Sequence, residues 1–154
     1  MASYSHQLRD GLVSVFNTAK SGWILQPTVK ATDLPDNTEG EIPLTLYVVA
    51  LDFDEEKLTR KGSRKITQQI AIGLVKTGVT PDDGTTANLV LLCQQIRSTI
   101  VASAINISLT GGIEATWEAT EAVKDETGLP FGFVKSRETA SFESFFNATY
   151  TFLI

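Results

Sequence analysis

The stretch Leu44-Thr45-Leu46-Tyr47-Val48-Val49-Ala50-Leu51-Asp52-Phe53-Asp54-Glu55-Glu56-Lys57-Leu58-Thr59-Arg60-Lys61-Gly62-Ser63-Arg64-Lys65-Ile66-Thr67-Gln68-Gln69-Ile70-Ala71-Ile72-Gly73-Leu74-Val75-Lys76 decides the fold. It reads as strand, charged loop, strand. In the second strand Ile66, Gln68, Ile70, Ile72 and Leu74 share one side. Lys65, Thr67, Gln69, Ala71, Gly73 and Val75 share the other. A period of two puts one face against a core and leaves the other wetter. The link carries nine charges: Asp52, Asp54, Glu55 and Glu56, then Lys57, Arg60, Lys61, Arg64 and Lys65. The pattern predicts strands over 44–53 and 64–76, paired as an antiparallel ribbon, with 52–65 a protruding charged hairpin. An ionic projection on a sheet edge suits contact with other protein. Those nine residues are therefore the candidate subunit or partner interface.

Upstream, Leu8, Leu12, Val15, Phe16 and Ala19 form one apolar stripe and predict a helix over 5–20. Ser3 or Ser5 is placed to cap it, and Ser21-Gly22 to end it. Pro27, Pro35 and Asn37 mark 22–41 as loop-like, with room for a short edge strand at 28–33. Downstream, Thr80-Pro81-Asp82-Asp83 reads as a helix start, with a hydroxyl cap, Pro in the first turn and acids at the positive end. Leu89, Leu92, Cys93, Ile96 and Ile100 give that helix its apolar stripe, with Cys93 expected as a small buried hydrophobe.

Residues 113–123 alternate, with Ile113, Ala115, Trp117 and Ala119 on one side and Glu114, Thr116, Glu118 and Thr120 on the other. Ala and Glu favour a helix there. The regular alternation, with Trp and Thr in it, favours a strand. A Pro- and Gly-bearing loop, 128–132, leads to a last strand over 141–154. The order α-β-β-β-α-β-β gives an α+β fold, with residues 1–154 as a single domain. Two main helices pack on one face of a mixed, mostly antiparallel sheet of about four or five strands. Apolar residues on both faces of the last strand call for a second cover, from another subunit or from the chain itself.

The chain has 154 residues, long enough to bury a core without disulfides or metals. Its 13 basic and 18 acidic residues give a net charge of −5, a field that repels nucleic acid. A single cysteine rules out an intramolecular disulfide. No apolar run approaches the length of a membrane span, and Met1 to Arg9 lacks the apolar core of a signal peptide.

No spacing names a reaction. His6 is the one histidine, and no CxxC or HxxxH motif is present. Asp52-Phe53-Asp54 opens like a calcium loop, but Lys57 holds the sixth position and Ser63 the twelfth. Lys76-Thr77 lacks the glycines of a phosphate loop. No catalytic, metal-binding or cofactor-binding residue is expected, and no enzymatic activity. Glu114, Glu118 and Glu121, with Asp125, read as a solvated acidic face. The competing reading is a small cytoplasmic enzyme using the carboxylates between Glu114 and Asp125, which requires them to converge in a cleft. Trp23 and Trp117 read as core or interface anchors; a ligand site around Trp117 is the other possibility.

One family shares this layout: an amphipathic N-terminal helix, a strand like 44–50, a charged loop bearing Arg64 and the alternating strand 65–76. The Thr80-Pro81-Asp82-Asp83 helix and the Phe-rich closing strand 142–152 complete it. It resembles the tail terminator, or tail-completion, proteins of long-tailed bacteriophages and related small neck proteins. The likeness covers most of the chain from Leu44 onward and rests on pattern and size. The acidic stretch 111–128 departs from it. The resemblance implies a homo-hexameric ring in the virion, assembled in the host cytoplasm. Such a ring caps the tail tube, meets the tube protein and the head-side connector, and passes DNA without specific binding. It implies no catalytic residue, cofactor or membrane contact. Glu114, Glu118 and Glu121 are then the candidate acidic channel wall. Another neck, head-closure or tail component is the nearest alternative.

Overall fold

The alternating segment forms β3 (Arg64–Thr77), and Ile66, Gln68, Ile70, Ile72 and Leu74 are all buried on its inner side. The computed structural model of the chain describes residues 3–32, 43–60, 62–77, 83–101, 106–123, 132–135 and 140–154. The other strands are β1 (Thr28–Ala31), β2 (Thr45–Lys57), β4 (Ile107–Leu109), β5 (Ile113–Val123), β6 (Gly132–Lys135) and β7 (Ala140–Leu153). They join in one sheet, ordered β1-β2-β3-β7-β5-β4. β6 pairs with the first residues of β7, while β5 pairs with the rest of it. β1 runs parallel to β2, and the other described pairs are antiparallel.

Two helices, α1 (Tyr4–Ala19) and α2 (Asp83–Val101), cover the inner face. Leu8, Leu12 and Phe16 from α1 and Leu89, Leu92, Cys93, Ile96 and Ile100 from α2 meet the inner residues of the sheet in one apolar cluster. Each such side chain contributes about 1.5–3 kcal/mol by leaving water. Ser3 caps α1, its hydroxyl accepting the His6 N–H at 3.1 Å. A single 3-10 turn, Lys20–Gly22, follows the helix. Gly11 lets α1 sit directly on β4, since a Cβ there would overlap Cγ2 of Ile107.

The α+β class and the two helices on one face agree with the sequence. The sheet is larger than the four or five strands expected, because β4 and β6 were missed. At three and four residues, neither is long enough to display a period. The helix start at Thr80-Pro81-Asp82 and most of the 128–132 loop lie outside the described residues.

The outer face carries a second, smaller apolar cluster: Tyr47, Val49 and Val75, with Ala71 and Phe145. Tyr47 is 3% exposed and Val75 6% exposed in a single chain, so this cluster is buried without another subunit. The Phe145 ring lies across Gly73, in space that any side chain at 73 would fill.

One buried group has no partner. Tyr150, fully buried on β7, leaves its hydroxyl without a hydrogen bond among the described residues, and burial pushes its pKa up. An unpaired buried hydroxyl costs about 1–3 kcal/mol. Tyr150→Phe is therefore expected to stabilise the protein by about 1 kcal/mol, read as a higher urea midpoint at unchanged slope. Cys93 is buried as expected. Desolvation pushes its thiol up to about 11, against a hydrogen bond with Ser144 that pulls it down. It stays protonated at neutral pH and is a poor nucleophile.

Candidate functional site

The charged segment is strand for most of its length. Register runs Phe53↔Gln68, Glu55↔Ile66 and Lys57↔Arg64, and the ladder ends with the Leu58 N–H donating to the Ser63 carbonyl at 2.8 Å. The expected 52–65 loop is thus a short turn on a paired ribbon. β2 runs four residues beyond the predicted end because charge is compatible with a solvated edge strand. Asp52, Asp54, Glu55, Glu56, Lys57, Arg60 and Arg64 are all exposed and Lys65 is half-buried; Lys61 lies outside the described residues. On the far side β3 stays paired to the end, Arg64 and Ile154 exchanging two backbone bonds of 2.9 and 3.0 Å.

A β-bulge between Ala50 and Phe53 sets which side each ribbon residue faces. Leu51 and Asp52 together oppose Gln69, so the alternation of β2 slips by one. Phe53 and Glu55 turn to the inner side and Asp54 and Glu56 to the outer side, following their cross-strand partners. Gln68 holds the bulge. Its Nε2 donates to the carbonyls of Leu51 at 2.6 Å and Gln69 at 2.8 Å, and its Oε1 accepts from the Ser5 hydroxyl at 2.6 Å. Ser5, a candidate cap from sequence, instead ties α1 to the ribbon.

The inner face of the ribbon extends past the start of α1. There Tyr4, Phe53, Ile66, Phe152 and Ile154 line a groove of about 280 Å³. Phe53 is 54% exposed. The Arg64 guanidinium donates to Glu55 at 2.8 Å across the rim. Both groups are well exposed, and such a pair contributes less than about 1 kcal/mol.

The outer face is polar and acidic over the same half of the sheet. Thr67 of β3, Thr149 and Thr151 of β7 and Thr116 of β5 share it. Among the described residues Asp54, Glu56, Glu114, Glu118, Glu121 and Glu143 lie on this side, against Lys30 and Lys65. Glu118 occupies a second bulge, between Trp117 and Ala119, and accepts a hydrogen bond from Thr151 Oγ1 at 2.8 Å. That bulge exchanges two residues relative to the expected alternation. Ala119 is exposed outside, and Thr120 lies inside, accepting from Trp117 Nε1 at 2.8 Å. Glu114, Glu118 and Glu121 are exposed along open strand, and Asp125 lies outside the described residues. Trp23 is an anchor, its ring 6.0 Å from that of Phe16 and its Nε1 donating to Thr99.

Sequence reasoning placed the ionic ribbon but missed Phe53, Gln68 and the groove. A glutamine inside the apolar face of β3 was the available signal for a backbone irregularity opposite it. Among the described residues no group of three or more His, Cys, Asp and Glu is placed to hold a metal ion. No helix among them is long and apolar enough to cross a membrane. No protein-family model matches the chain, and no curated protein matches it.

Proposed function

We propose that this protein is a structural subunit of a bacteriophage virion, a tail terminator that forms a ring, usually of six copies, between the tail tube and the head-side connector. The observation that carries this reading is the acidic outer face. Five of its six carboxylates, all but half-buried Glu143, stand exposed on an open sheet, with Lys30 and Lys65 as the counter-charges. A wall of that kind repels phosphate and lets DNA pass unheld. The exposed ribbon supplies the arm that meets a neighbour, because ring subunits join through two different faces. The tube protein and the connector are its other partners, and the virion is its place. In this reading the chain contributes surface rather than chemistry. Acid–base catalysis needs carboxylates that converge around a substrate; the exposed Glu114 and Glu118 share an open surface depression with Lys65, and Glu121 lies outside it.

Two measurements test it. The purified protein is expected at about six times the mass of its 16.7-kDa chain by sedimentation, with rings visible by electron microscopy. A strictly monomeric protein at every concentration, in the presence of tube protein, would refute the ring. Duplex DNA is expected to show no submicromolar complex by gel shift at physiological salt. Loss of the protein from the phage is expected to leave tails of unregulated length; normal tails lacking heads would point to a head-closure role instead.

A further inference from the structure

We propose that the edge of β2 from Phe53 to Lys57, uncovered among the described residues, is a strand-addition site for an extended segment of another protein that alternates apolar residues with lysine or arginine. β1 pairs only with Thr45 to Val48, and its last bond is the Thr32 N–H to the Val48 carbonyl at 3.2 Å. Beyond the bulge, residues 51–57 are exposed. The bond from Leu58 to Ser63 fixes the phase of the ladder. Asp54 and Glu56 therefore turn their backbone groups toward β3. Phe53, Glu55 and Lys57 turn theirs outward, without partners among the described residues. An incoming strand gains main-chain hydrogen bonds there, and its alternate side chains provide selectivity.

The two sides of this edge ask for different side chains. On the inner side an added strand lies beside exposed Phe53, Glu55 and Lys57; Glu55 is already held by Arg64, so the uncovered aromatic ring favours an apolar residue there. On the outer side it lies beside Asp54 and Glu56. These carboxylates have no ion-pair partner among the described residues, so they favour cations. A second copy of the same edge is a poor occupant, because carboxylates then oppose carboxylates and the bulge interrupts the ladder. The site does not depend on the ring, since Phe53 to Lys57 all belong to one chain.

The test uses the full chain and the capped peptide Thr-Lys-Val-Lys-Val-Lys-Thr, followed by fluorescence anisotropy and amide hydrogen exchange. Two control peptides carry proline at the first valine or glutamate at every lysine. The lysine peptide is expected to bind and to slow exchange at Phe53, Glu55 and Lys57 by about tenfold or more, with both controls at least about tenfold weaker. The double variant Asp54→Lys/Glu56→Lys is expected to lose about tenfold in affinity. Absence of binding, binding without protection of those amides, or a proline peptide as tight as its parent would overturn the proposal. So would slow exchange at those amides in the protein alone, which would mean that the edge is already covered. Light scattering on the same samples keeps the ring separate: a monomer that binds the peptide counts against the ring and not against this site.

Discussion

Gln68→Ala is expected to destabilise the protein by about 2–4 kcal/mol. The side chain is fully buried and makes three hydrogen bonds, each contributing about 0.5–1.5 kcal/mol net. Truncation also leaves a void between α1 and the sheet, which adds a cavity cost. Gln68→Leu separates these effects. Leucine refills the space and gains apolar burial, about 1.5–3 kcal/mol for a full side chain, but leaves the Leu51 carbonyl and the Ser5 hydroxyl unpaired. Its loss should be smaller than that of alanine. Urea titrations of the three proteins at one protein concentration measure this. Equal midpoints for all three would show that the bulge needs no support. Faster amide exchange around the bulge in both variants is the local sign that its geometry depended on the amide.

Gly11→Val is expected to cost about 3 kcal/mol, near the top of the usual range for overpacking. Helix propensity alone predicts the opposite sign for the simpler change Gly11→Ala, a gain of about 1 kcal/mol in the middle of a helix. The geometry reverses that gain. The new Cβ lands on Cγ2 of Ile107, a β-branched side chain close to its own backbone that has little room to turn away. Alanine should therefore be mildly destabilising and valine strongly so. Ile107→Ala opens the space, and a double-mutant cycle with Gly11→Val should recover about 1 kcal/mol or more as coupling between the two sites. Simple addition of the two single losses would mean that α1 does not rest on β4 through Gly11.

Long periodic segments were legible because burial repeats along them. The inner residues of β3 and β7 were read correctly, as were the apolar stripes of both helices. Three things were not legible. β4 and β6 are too short to carry a period. The ends of β2 were obscured by charge, since Asp54 and Glu56 signal water and an edge strand is wet. The bulges at Leu51–Asp52 and at Glu118 were hidden because an extra residue reverses the side of everything beyond it while leaving composition unchanged. This last effect limited the reading of the candidate site most. It puts Phe53 over the groove and brings Thr120 under Trp117, and neither position follows from a fixed period of two. The acidic character of β5 was legible in part: Glu114 and Glu118 fall on the same side with or without the slip, whereas Glu121 joins them only because of it.

β7 lies at the centre of the sheet, bonded to β3 along one flank and to β5 and β6 along the other. It is also the last of these elements to be synthesised. On the ribosome, β3 and β5 therefore emerge with their inner flanks unmated, and the two halves of the sheet cannot join until Phe142 to Phe152 has left the exit tunnel. Closure links residues as far apart as Lys65 and Leu153, which makes it slow compared with helix formation. During that interval the nascent chain presents bare apolar strands, and it is then most open to aggregation and to rescue by chaperones.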